Sequence, residues 1–137
     1  MAAHASRSDR LPIRASEDVV TVRQHVRKAA LELGFGLVDQ TKVVTAASEI
    51  ARNTLVHGNG GWATIEVVDN GGRRGVRATF EDQGPGIADI DRALQDGFTT
   101  GGGLGLGLGG AKRLSNEFEI ASTPGQGTKV TMTRWKA

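Results

Sequence analysis

Apolar residues recur with a helical period in two stretches of the first half of the chain. Val19, Val22, Val26, Ala29, Ala30 and Leu33 share one face of a helix predicted over 17–33. Ser16 is placed to cap it, Glu17 and Asp18 occupy a first turn that favours acids, and Gly34 is a natural stop. Val43, Ala46, Ala47, Ile50, Ala51 and Leu55 predict a second helix over 40–57, with Asp39 as its cap and HGNGG closing it. The period then changes to two. Ala63, Ile65 and Val67 alternate with polar neighbours in a strand over 62–68, and Val76, Ala78 and Phe80 do so in the next. Asn70, Gly71 and Gly72 between them supply hairpin turn chemistry. A short strand is expected over 11–15 and a brief helical turn within 89–95. A third helix follows over 106–114, then a strand through Phe118 and Ile120, a turn over 124–127, and a last strand over 128–134 with Val130 and Met132 inward.

The order is β-α-α-β-β-loop-α-β-β. Strands joined by tight turns predict a mixed, mainly antiparallel sheet with helices on one face, an α+β two-layer sandwich. A length of 137 residues suits one domain, expected over 11–137. Residues 1–10, MAAHASRSDR, have no apolar run of the kind a signal peptide carries and are expected to form a flexible tail. No apolar stretch is long enough for a transmembrane helix. The net charge of +2 gives little attraction for nucleic acid, and with no tyrosine and 4% aromatics a base-stacking surface is not expected. The absence of cysteine removes disulfide and thiolate chemistry. These features point to a cytoplasmic protein that neither binds nucleic acid nor inserts in a membrane.

The chemistry concentrates in three places. The run GGGLGLGLGG over 101–110 holds seven glycines in ten residues, with leucine at every second position of its middle. Glycine lets a ligand approach the backbone, and the run leads into AKRL, which suits phosphate; the plain alternative is a flexible linker. It is no P-loop, because Lys112 is followed by Arg113 and lacks the glycine spacing before it. Gly105, Gly107 and Gly110 match a dinucleotide fingerprint formally, yet no strand precedes them and no acid follows at the distance a ribose requires. No HRD or DFG segment of a eukaryotic-type kinase follows either. Second, Glu49, Asn53 and His57 stack along one face of the second helix. A carboxylate and an amide one turn apart suit proton transfer and a hard cation, and equally an ordinary solvated face. Third, in DQGPGI, Asp82 follows the inward Phe80 by two residues, so it also points inward at the strand end. A buried carboxylate there needs a donor, such as an adenine amine, although D-x-G-x-G is also ordinary turn chemistry. Thr128 shares the inner face of the last strand with Val130 and Met132.

Taken in order, Glu49–Asn53, DQGPGI, the glycine run and Gly127–Thr128 resemble the N, G1 and G2 boxes and final threonine of the GHKL (Bergerat-fold) ATP-binding superfamily. ASEIARNTLVHG, TFEDQGPGI and DGFTTGGGLGLGLGGAKRL resemble in particular the RsbT-type serine/threonine switch kinases of the stressosome, over about 40–135. The resemblance implies ATP and magnesium as cofactors. It implies that Asp82 binds the adenine amine, that Thr128 assists through water, that Asn53 holds magnesium and that Glu49 polarises the attacking hydroxyl or water. It further implies that Gly84, Gly86, Ile87, Thr100, Gly103, Leu104, Gly105, Leu106 and Gly107 line the nucleotide, with 88–102 as a lid. The implied substrates are STAS-domain proteins, and the implied second role is activation of a PP2C-type phosphatase. The alternatives are an anti-sigma factor or nucleotide-gated binding module, and a stand-alone ATPase.

Overall fold

The computed structural model describes residues 4–94 and 107–136. Its elements are β1 (His4–Ile13), α1 (Ser16–Glu32), α2 (Leu37–Val56), β2 (Gly61–Asn70), β3 (Arg73–Asp82), α3 (Ile90–Ala93), α4 (Gly107–Arg113), β4 (Glu117–Ser122) and β5 (Thr128–Trp135). The strands form one five-stranded sheet in the order β1-β2-β3-β5-β4, and its four pairings are all antiparallel. Helices α1 and α2 pack on one face of it, and α4 packs on α2. This is the expected two-layer α+β sandwich.

Cross-strand register arranges the inner face in rows. Leu11, Ala63, Phe80, Val130 and Ile120 make one row; Asp9, Ile65, Ala78, Met132 and Phe118 make the next. Against these rows α1 places Val22, Val26, Ala29 and Ala30, and α2 places Val43, Ala46, Ala47, Ile50 and Ala51, all buried. Burying a side chain such as Ile50 or Phe80 contributes about 1.5–3 kcal/mol, so this layer contact carries much of the stability. The outer face is polar along its middle, with Thr64 opposite Thr79 and Thr79 opposite Thr131. At its margins guanidinium groups cover the tryptophans: Arg10 lies 4.1 Å over Trp62 and Arg73 4.8 Å over Trp135.

The local signals are read correctly at most boundaries and incorrectly at three. Gly34 has φ 78°, and its N–H donates to Leu31 while the Phe35 N–H donates to Ala30, a Schellman stop for α1. Gly71 and Gly72, with φ 66° and 89°, close the β2–β3 hairpin, and the Gly72 N–H donates to the Asp69 carboxylate. The cap of α1 is Ala15 rather than Ser16. Asp18 reaches back to accept the Arg14 and Ala15 N–H groups at 2.8 and 3.0 Å, which is the work a cap would do. Asp39 does not cap α2, which starts earlier from an extended Gly36. Its carboxylate instead accepts from Arg134 of β5 at 2.6 Å, tying the start of α2 to the sheet. The tail expected over 1–10 is, from His4, the edge strand of the sheet. Its first part lacks a period-two apolar pattern because the inward residues Arg7 and Asp9 face polar partners on α1, Glu32 and His25, rather than the apolar core.

Candidate functional site

One further row lies at the end of the sheet beyond Phe80, formed by Ile13, Gly61, Asp82, Thr128 and Ser122. Here the inner face turns from apolar to polar. Asp82 and Thr128 are each only 8% exposed, so both present oxygen atoms within a largely buried surface. That placement follows from the strand period, as the alternation predicts. The Asp82 carboxylate accepts the Gly84 N–H at 2.9 Å. The Thr128 hydroxyl lies 2.9 Å from the Ser122 hydroxyl.

Glycines make room for this row. A Cβ on Gly58 would lie 2.3 Å from the Asp82 Cγ, and one on Gly84 would lie 2.7 Å from the Gly58 Cα. The end of α2 and the start of the DQGPGI loop therefore meet backbone to backbone beside the carboxylate. Gly127, at φ 91°, would bring a Cβ to 2.1 Å from the Asp82 carbonyl, and Gly86, at φ 77°, to 2.4 Å from the Thr123 carbonyl. The Gly125 N–H donates to Pro85 at 2.7 Å and the Ile87 N–H to the Ser122 hydroxyl at 2.7 Å. The DQGPGI loop and the turn before β5 are thus clasped together, and Gly84, Gly86 and Ile87 serve the architecture as well as any ligand. A depression of about 250 Å³ at this end of the sheet is lined by Asp82, Ser122, Gly127 and Thr128, and also by Glu81 and Lys129 of the outer face, so it wraps around the strand ends.

Glu49 and Asn53 lie on α2, half-buried beside the fully buried Ile50 and Ala51. The Asn53 carbonyl accepts the N–H groups of His57 and Gly58, and Gly58 abuts Asp82. At the helical rise, Asn53 stands about 8 Å and Glu49 about 13 Å along the axis from Gly58. The two positions thus follow one another along α2 away from the Gly58 end. Among the described residues there is no group of three or more His, Cys, Asp or Glu able to hold a metal. A magnesium ion that arrives with phosphate oxygens and keeps several waters needs one or two protein oxygens, which the Asn53 amide fits. Gly107, at φ 70°, opens α4, whose Leu108 and Ala111 are buried in the core. Thr100, Gly103, Leu104, Gly105 and Leu106, with the greater part of the segment expected as a lid, lie outside the described residues.

Two residues of this site escape a sequence reading. Gly58 reads as a helix stop, and only the fold shows it as the wall behind the carboxylate. Ser122 is an ordinary polar residue at a strand end, although its alternation with Phe118 and Ile120 marks the inner face. Gly58→Ala is expected to displace the Asp82 carboxylate or the loop behind it, with a stability loss of about 1–3 kcal/mol. Urea denaturation measures it; an unchanged midpoint would show that the site has slack.

The chain is similar to known proteins along most of its length. Residues 38–137 match the family described as Histidine kinase-, DNA gyrase B-, and HSP90-like ATPase. The serine/threonine-protein kinase RsbT of Bacillus subtilis is 48% identical over 118 residues, covering 86% of this chain and 89% of that protein. An anti-sigma F factor of Thermoanaerobacter is 32% identical over 126 residues, covering 88% and 87%. Among solved structures, the RsbU and RsbW domains of a Mycobacterium tuberculosis protein superpose with a TM-score of 0.66 at 23% identity, over 96% of this chain and 33% of that one. The SiaB–SiaC complex of Pseudomonas aeruginosa gives 0.56 at 16% identity, over 96% and 90%. These last two establish likeness of fold alone.

Proposed function

We propose that this chain, which belongs to the histidine kinase-, DNA gyrase B- and HSP90-like ATPases and within them to the RsbT-type serine/threonine-protein kinases, is a switch kinase for STAS-domain proteins. The observation that carries the reading is the buried carboxylate of Asp82 set against the end of the helix that carries Asn53 and Glu49. The carboxylate abuts Gly58 at the end of α2, and Asn53 and Glu49 follow along the same helix. An adenine amine donates to Asp82, and Thr128 assists at the neighbouring ring position. The composition of the run 101–110 assigns it to the phosphates. Asn53 holds the magnesium, which neutralises phosphate charge when bound.

Phosphoryl transfer asks chiefly for positioning and charge neutralisation. The partner's serine or threonine oxygen bonds to the γ-phosphorus as the bond from that phosphorus to the β,γ-bridging oxygen breaks. The hydroxyl proton passes to Glu49, and ADP leaves with the bridging oxygen. The same chain, released from its STAS partner, binds and activates a PP2C-type phosphatase.

A second reading is favoured by the anti-sigma F factors at about a third identity: a nucleotide-gated binding module that sequesters a sigma factor. Incubating the chain with γ-labelled ATP, magnesium and purified STAS-domain protein separates the two. Label on serine or threonine of the partner is expected. Stable binding of a sigma factor with no label transferred to any STAS protein would favour the second reading.

A further inference from the structure

The Ser122 hydroxyl sits among three partners. It accepts the Ile87 N–H at 2.7 Å, lies 3.1 Å from the Gly127 carbonyl and 2.9 Å from the Thr128 hydroxyl. A serine hydroxyl has one proton, and here two acceptors compete for it. If the proton goes to Gly127, Thr128 must donate to Ser122 and shows any ligand only lone pairs. If it goes to Thr128, the Thr128 proton is released toward the ligand. The Gly127 carbonyl then still accepts the Thr123 N–H at 3.4 Å.

We infer that Ser122 is a positioning residue that sets Thr128 as a hydrogen-bond donor and relays occupancy of the base site to the DQGPGI loop. The inference rests on the ATP-binding reading above. An adenine whose amine meets Asp82 presents its N1 acceptor alongside, which calls for a donor from Thr128, directly or through one water. That selects the second proton arrangement. The Ile87 N–H, the Ser122 hydroxyl, the Thr128 hydroxyl and the base then form one chain of donors in a single sense. Each bond in such a chain polarises the next, so base binding strengthens the bond from Ile87 to Ser122. No other side chain among the described residues joins the β4 end, the Thr128 hydroxyl and this loop.

The test follows the Ile87 amide by NMR in ¹⁵N-labelled protein, titrated with ADP or with its 1-deaza analogue, which keeps the amine but lacks N1. The Ile87 proton is expected to move downfield with ADP and to move less with the analogue. Ser122→Thr keeps a hydroxyl and should preserve that difference, whereas Ser122→Ala should abolish it while other amides still report nucleotide. Equal Ile87 shifts with both nucleotides in the unsubstituted protein would overturn the relay, whether or not Ser122→Ala folds. A difference that survives in Ser122→Ala would overturn it too. If neither nucleotide moves any amide at millimolar concentration, the ATP reading itself falls, which is a separate outcome.

Discussion

Glu49→Gln is expected to lower phosphate transfer to a protein partner by about 100-fold or more while ATP affinity stays close to its original value. The substitution keeps the length of the side chain and its reach but removes the carboxylate that the proposed function has taking the hydroxyl proton. Glu49 is half-buried on α2 and has no hydrogen-bond partner among the described residues, so no structural bond is broken by the change. Asn53→Ala, one turn away, should behave differently. On the proposed function it removes a magnesium oxygen ligand, so both nucleotide affinity and transfer should fall, and added magnesium should restore part of each. If instead both residues only solvate a helix face, each substitution would change stability by at most about 0.5 kcal/mol and leave function untouched. ATP affinity and single-turnover transfer, measured side by side for the two variants, decide this. Transfer by Glu49→Gln at the original rate would remove Glu49 from the chemistry and strengthen the binding-module reading.

How far the sequence reveals this site depends on the kind of signal each residue carries. The period-two pattern of 62–68 and 76–80 gives both central strands and their inner faces, and by extension the inward direction of Asp82. The glycine stops and the Gly71–Gly72 turn are legible because left-handed backbone favours a particular residue type. Edge strand β1 is legible only at its end, where the strand expected over 11–15 overlaps the observed His4–Ile13. Its earlier inward positions Arg7 and Asp9 are charged, unlike Leu11 and Ile13, and their partners Glu32 and His25 lie on a helix that only the fold brings near. Asp39 fails as a cap for a related reason: a long-range partner, Arg134, claims its carboxylate. Gly58 and Ser122 act through contacts with segments more than 20 residues away in the chain, Asp82 and Ile87. No local pattern encodes such a contact. The motifs therefore name candidate positions, whereas the supporting residues emerge only from register and packing.

Asp82→Asn is expected to weaken ATP binding by about 5- to 150-fold, the equivalent of losing about 1–3 kcal/mol from a buried polar contact. The change is isosteric, and one carboxylate oxygen already accepts the Gly84 N–H, a bond that the asparagine oxygen can keep. Gly58 leaves no room beside the group for it to swing away, since even a methyl there would lie 2.4 Å from Oδ2. The asparagine amide nitrogen must then occupy the second oxygen's position, where it sets a donor against the donating adenine amine. A guanine or hypoxanthine carbonyl at the same ring position would instead find a matching donor, so the ratio of ATP to GTP affinity should fall in the variant. Calorimetric titration with both nucleotides measures the ratio, and a thermal midpoint close to that of the parent protein would show that the fold is intact. Equal ATP affinities for the parent and the variant would take Asp82 out of the base site, and with it the assignment of the polar row at the end of the sheet to adenine.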